Sequence, residues 1–114
     1  MSDTNAKENK TPNPAADNPI SGLDQLIHAP ARLNIVTNLY VVESADFIFL
    51  KNITGLTWGN LSAHVSKLAE AGYVDIEKSI VNKKTHTIAR LTEDGRRAFD
   101  DYKQKMMEVL DKKS

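Results

Sequence analysis

Apolar residues recur along this chain in blocks whose spacing switches from helical to alternating and back. Leu33, Ile35, Val36, Leu39, Tyr40 and Val42 spread around a helix expected over about Ala29–Val42, with Pro30 tolerated in its first turn. An apolar surface that wide belongs at the centre of a core. Leu61, Val65 and Leu68 follow at spacings of four and three, so a helix over about Thr57–Ala71 has one apolar face. Thr57 can cap it, and Gly55 separates it from a compact helix expected over Phe47–Ile53. Tyr73–Ile80 and Thr85–Leu91 are rich in Val, Ile and Thr with polar residues interleaved. With Asn82-Lys83-Lys84 between them they read as an antiparallel hairpin. Thr92 then caps a last helix, about residues 92–112, with Glu93 and Asp94 at its positive end and Phe99, Tyr102, Met106, Val109 and Leu110 in a stripe. Before the core helix, Ser21 is expected to cap a short helix through Leu23, Leu26 and Ile27. Glu43–Asp46 reads as a turn, with Asp46-Phe47 as a short third strand at the sheet edge. The fold class is α+β, mainly α.

Residues 1–20 hold proline, Asn, Asp and Lys and almost nothing apolar. They cannot offset their ordering entropy by burial, so they read as a disordered tail ahead of one domain, residues 21–114. The chain has no cysteine, which removes disulfides, thiolate zinc sites and a cysteine nucleophile. No apolar run approaches the roughly 20 residues of a membrane span, and no basic-then-apolar leader opens the chain. A cytoplasmic protein with no membrane partner is the expectation.

Fifteen cationic and fifteen acidic residues cancel, which weighs against a nucleic-acid binder until their positions are considered. From Lys78 to Arg90 there are four cations (Lys78, Lys83, Lys84, Arg90) and no carboxylate. On the preceding helix, Gly59, Asn60, Ala63, Ser66 and Lys67 lie opposite the apolar face. These small or polar groups leave the helix slim enough to enter a DNA groove. Asn60 suits adenine as a bidentate partner, and Lys67 suits guanine or phosphate. Ser62 and His64 flank that face, within reach of phosphates. Each also has a plainer reading as part of a solvated surface. Trp58 projects nearer the apolar side and is expected to be core or partly buried, packed against Tyr40 or the compact helix.

Helix, helix, short segment, turn, helix, hairpin, helix is the order of a winged helix-turn-helix domain. The segments LIHAPARLNIV and DFIFLKNITGLTWGNLSAHVSKLAEAGYVDIEKSIVNKKTHTIARLTEDGRRA resemble small winged-helix transcriptional regulators of the MarR/ArsR-like superfamily, over about Leu23–Tyr102. The resemblance implies a sequence-specific DNA-binding regulator. Its recognition helix would read the major groove with Thr57, Asn60, Ser62, Ala63, His64, Ser66 and Lys67. The wing, about 74–91, would grip flanking backbone with Lys83, Lys84 and His86. Arg90 either joins that grip or pairs with Glu77, and Arg32 in the Pro-x-Arg segment either touches phosphate or serves as a structural ion-pair partner. The same likeness implies a homodimer on double-stranded DNA with a pseudo-palindromic operator. Its interface would draw on Leu23, Leu26, Phe99, Tyr102, Met106, Val109 and Leu110, because the last helix is expected to outrun the compact core. A small-molecule effector in the dimer cleft is a variant of this reading, although no residue set identifies one.

Other chemistries find less support. His28, His64 and His86 fall on three separate elements without ligand spacing, so neither a metal nor any other cofactor is expected. There is no phosphate-binding glycine loop, nucleophile elbow or H-E-x-x-H motif, and the adjacent acids Glu93/Asp94 and Asp100/Asp101 diverge on a helix. No active site is expected. The rival reading is a winged-helix protein-interaction module without DNA binding, motivated by zero net charge and a recognition face whose only clear cation is Lys67.

Overall fold

The computed structural model describes residues 19–112. The tail expected over residues 1–20 therefore lies almost wholly outside the described residues. In chain order come a 3-10 helix (Pro19–Gly22), α1 (Pro30–Val42), β1 (Ser44–Asp46), α2 (Phe47–Thr54), α3 (Trp58–Glu70), β2 (Val74–Val81), β3 (Lys84–Leu91) and α4 (Glu93–Lys112). Four helices and an antiparallel sheet of order β1-β3-β2 make the expected winged helix-turn-helix.

The periodic segments form where their patterns place them, because each apolar stripe has a partner. Helix α1 packs against all three other helices and two strands, with Ile35, Val36 and Leu39 fully buried. Leu61, Val65 and Leu68 carry α3 into the same core, at roughly 1.5–3 kcal/mol of transfer free energy for each such side chain. Thr57 caps α3: its hydroxyl accepts the Asn60 N–H at 3.1 Å. At the far end, Gly72 takes φ +83°, and the Tyr73 N–H returns to the Leu68 carbonyl at 3.0 Å. Thr92 caps α4 through the Gly95 N–H at 2.9 Å, and its own hydroxyl donates to the Gly72 carbonyl. That one threonine ties the end of α3 to the start of α4.

The structure corrects four expectations and chooses between two others. Ser21 does not start a helix through Ile27. After the 3-10 turn the Asp24 carboxylate accepts the Leu26 and Ile27 N–H groups, so a side-chain turn replaces the helix. The third strand is Ser44–Asp46, not Asp46-Phe47. The turn shrinks to Glu43, whose carbonyl accepts the Leu91 N–H at 3.1 Å, while Asp46 caps α2. The hairpin turn has two residues, since Lys84 already pairs with Val81 in the ladder. Of the two packing partners expected for Trp58, the structure has the compact helix: Lys51 of α2 lies over its half-exposed ring, while Tyr40 packs on Phe99. Finally, Tyr102 and Val109 do not outrun the core, being only 4% and 8% exposed within the single chain.

Candidate nucleic-acid interface

Helix α3 presents Asn60, Ser62, Ala63, Ser66 and Lys67 to solvent, with Thr57 exposed at its cap. The buried stripe behind them fixes this orientation, since residues about 100° apart per step cannot share the Leu61/Val65/Leu68 side. Glu70 also lies on the exposed side, so the face is polar with little net charge.

Beside α3 the wing extends as a regular ladder from Val74↔Leu91 to Val81↔Lys84. Its tip is Asn82-Lys83, both at positive φ (52° and 66°), the mirror-image turn that suits the twist of a hairpin. Asparagine adopts this conformation readily, whereas lysine does so at a cost of roughly 1–2 kcal/mol. Glycine would be the unstrained choice, so a cation sits at the tip despite the backbone. Lys83 and Lys84 are both exposed. Arg90 lies opposite Asp75 at the wing's base, six ladder positions from Lys84 and so about 20 Å away. Its guanidinium meets the Glu77 carboxylate at 3.3 Å, an exposed pair of small energetic weight. Arg90 is therefore not brought to the tip lysines.

Arg32 and His64 are drawn inward. Arg32 Nε donates to the Leu26 carbonyl at 2.6 Å, and its Nη1 donates to His64 Nδ1 at 3.3 Å. Arginine has only donors, so Nδ1 must be the unprotonated nitrogen of a neutral ring. Burial, then the charges of Arg32 and Lys67, hold the His64 pKa below its ordinary value, in agreement with that geometry. Deeper in the same corner the Tyr73 hydroxyl donates to Asp24 at 2.5 Å. That bond, then burial and the nearby acids, push the Tyr73 phenol up to about 12. His28 Nδ1 and the Tyr102 hydroxyl hydrogen-bond at 2.7 Å, with burial raising the Tyr102 pKa. His86 stands apart in the wing, so the three histidines do not converge. Among the described residues no group of His, Cys, Asp or Glu is arranged to hold a metal ion.

Between the starts of α2 and α3 and the wing lies a cleft of about 230 Å³, lined by Asp46, Phe47, Ile48, Trp58, Thr85, His86 and Thr87. Sequence reasoning expects Trp58 beside Tyr40 or the compact helix and misses the cleft it shares with the wing. The available signal was angular: Trp58 sits about 60° from Leu61 on a helical projection, at the edge of the buried stripe.

Of the residues named for the dimer, Leu23, Phe99, Tyr102 and Val109 are buried within the chain, and Leu26 and Met106 are half-buried against its core. Leu110 is 59% exposed near the end of α4, beside Met107 at 60%. The 3-10 helix packs on α4.

Known proteins match this arrangement. A family model described as a winged helix DNA-binding domain fits residues 31–110. An uncharacterized protein of Methanocaldococcus jannaschii is 34% identical over 85 residues, covering 75% of this chain and 92% of that protein. Among solved structures, a transcriptional regulator homologue from Pyrococcus horikoshii superposes with TM-score 0.75 at 24% identity, over 85% of this chain and 94% of its own. NadR in complex with 4-hydroxyphenylacetate gives 0.63 at 19% identity, over 85% and 71%. A MarR-family regulator from Silicibacter pomeroyi gives 0.60 at 17% identity, over 86% and 65%. These structural likenesses establish a shared fold. The chain belongs to the winged helix DNA-binding domain family. No helix among the described residues is long and apolar enough to cross a membrane.

Proposed function

We propose that this winged-helix protein is a sequence-specific transcriptional regulator that reads DNA with α3 and grips it with the wing. The observation that carries the reading is the lysine-tipped hairpin beside an exposed, slim helix face, with Lys83 kept in a backbone conformation that favours glycine. Asn60, Ala63, Ser66 and Lys67 supply donors, acceptors and a small apolar surface for base edges in the major groove. Lys83 and Lys84 supply charge to flanking phosphates, which a helix face balanced by Glu70 cannot do alone. The action is binding, without catalysis.

A second copy completes the proposal. Met107 and Leu110 expose apolar surface near the end of α4, and a two-fold pairing there would place two recognition helices on a pseudo-palindromic site about 34 Å apart. NadR is described with a bound small molecule. Control of this chain by a small effector is a variant of the proposal.

Fluorescence anisotropy with DNA fragments from a genomic pool, across a salt series, tests the reading. Binding at low salt with a steep negative salt dependence is expected, and the selected sites should show two-fold symmetry. Failure to bind any fragment at low salt would sink it. One observation favours a rival, a protein-interaction module: Ile48, Phe49 and Ile53 on α2 leave a large apolar area in solvent. Salt-insensitive failure to bind DNA, together with a co-purifying protein, would favour that rival.

A further inference from the structure

We propose that Trp58 seats the sugar–phosphate backbone of one DNA strand in the cleft between α3 and the wing. This rests on the DNA-binding reading and extends it to a residue and a contact which that reading does not require. If α3 enters the major groove and the wing tip reaches flanking backbone, a strand must pass between the two. The cleft lies there, floored by Trp58 from the first turn of α3 and bounded by Thr85 and Thr87 of β3.

Its chemistry suits a sugar–phosphate unit better than the other candidates. The volume of about 230 Å³ falls below the ~300 Å³ lower end of small-molecule pockets, which argues against an effector. Trp58 is half exposed, makes no hydrogen bond to a described residue, and so has an indole N–H available to an acceptor. Thr85, His86 and Thr87 of β3 form the opposite side. Lys51 lies over the indole, 5.4 Å from the ring centroid, and so sets a cation beside the cleft. The positive end of α3 adds to it. Asp46 is the one opposing charge, and its Oδ1 is occupied by the Phe49 N–H at 2.8 Å. The flat ring can pack on deoxyribose while its N–H donates to a phosphate oxygen, a contact blind to base identity.

The contact is neutral, which makes it separable. A lysine releases counterions and steepens the salt dependence, whereas an indole N–H does not. Trp58→Phe keeps an aromatic ring for Lys51 and removes the N–H donor together with part of the ring surface. It should weaken binding by about tenfold, the size of one hydrogen bond to a charged group, equally for the selected site and an unrelated duplex, with the salt slope unchanged. Trp58 is the chain's only tryptophan, so its intrinsic emission reports on this cleft alone. Acrylamide quenching of the unaltered protein should fall when duplex DNA is added. Tight DNA binding with unchanged quenching and an unaffected Trp58→Phe variant would overturn this inference while leaving the DNA-binding reading intact. A loss confined to one base pair would overturn the backbone assignment. Absence of binding by the unaltered protein would overturn both readings.

Discussion

Two polar regions of this molecule flank α3, and they use their polar groups in opposite ways. The corner built from Asp24, Arg32, His64 and Tyr73 satisfies its donors and acceptors internally, tying the chain ahead of α1 to Arg32 and Tyr73, and α1 to α3. The wing tip turns its charges outward and holds one of them on unfavourable backbone. Residue type alone does not separate the two roles: Arg32 is a better phosphate binder in principle than Lys83. What separates them is whether a partner within the chain is already engaged. The corner should therefore govern stability and the wing affinity, and mutations should show the two effects uncoupled.

The largest effect is expected at Gly95. A Cβ there would lie 2.2 Å from the Tyr73 carbonyl oxygen and 2.9 Å from the Leu91 side chain. That carbonyl also accepts the Thr92 N–H, so it cannot withdraw without loss. Gly95→Ala should cost about 3 kcal/mol, read from urea unfolding. Next comes Asp24→Ala, which strands two backbone N–H groups and the Tyr73 hydroxyl, at a cost of about 2 kcal/mol. The linked pH dependence has a definite sign. Folded Tyr73 resists ionisation up to about 12 while the unfolded phenol ionises near 10. Its stabilisation is thus complete below pH 10 and lost as pH rises towards 12. Removing Asp24 should shrink that loss.

Lys83→Gly sharpens the contrast from the other side. Relief of the positive φ should stabilise the protein by about 0.5–1 kcal/mol, while the salt slope of DNA binding falls by about one. A gain in stability accompanied by a loss of function is the signature expected of a strained functional residue. The smallest effect concerns His64. Its folded pKa lies below the unfolded value of 6.5, so the unfolded chain takes up the proton first. Stability should be full above about pH 6.5 and should decline as pH falls through the depressed folded pKa. His64→Gln should flatten that decline in urea midpoints measured from pH 7.5 to 5.

Much of this fold was legible in sequence because its helices are marked twice, by apolar period and by cap. Thr57 and Thr92 announce their helices, and Gly72 marks the stop after α3. The wing was legible from β-branched alternation around a polar turn. Contacts between distant segments carried no such mark. Nothing near Asp24 reveals that Tyr73, forty-nine residues on, will meet it, and Gly95 reads as an ordinary helix residue until Tyr73 is placed against it. Trp58 meets the compact helix through Lys51, one of the two partners expected for it, and the half of its surface left in solvent follows from its angular position at the rim of the buried stripe. For Arg32 and Arg90 the sequence left open alternatives that only tertiary geometry narrows.

The central claim is that the wing tip supplies electrostatic grip on DNA. Anisotropy titrations of Lys83→Ala/Lys84→Ala against the unaltered protein, from low to moderate salt, test it most directly. The account predicts weaker binding to every duplex alike, with the slope of log K against log salt reduced by about two for each chain bound. A slope unchanged by losing both lysines, in a variant that still folds, would contradict it.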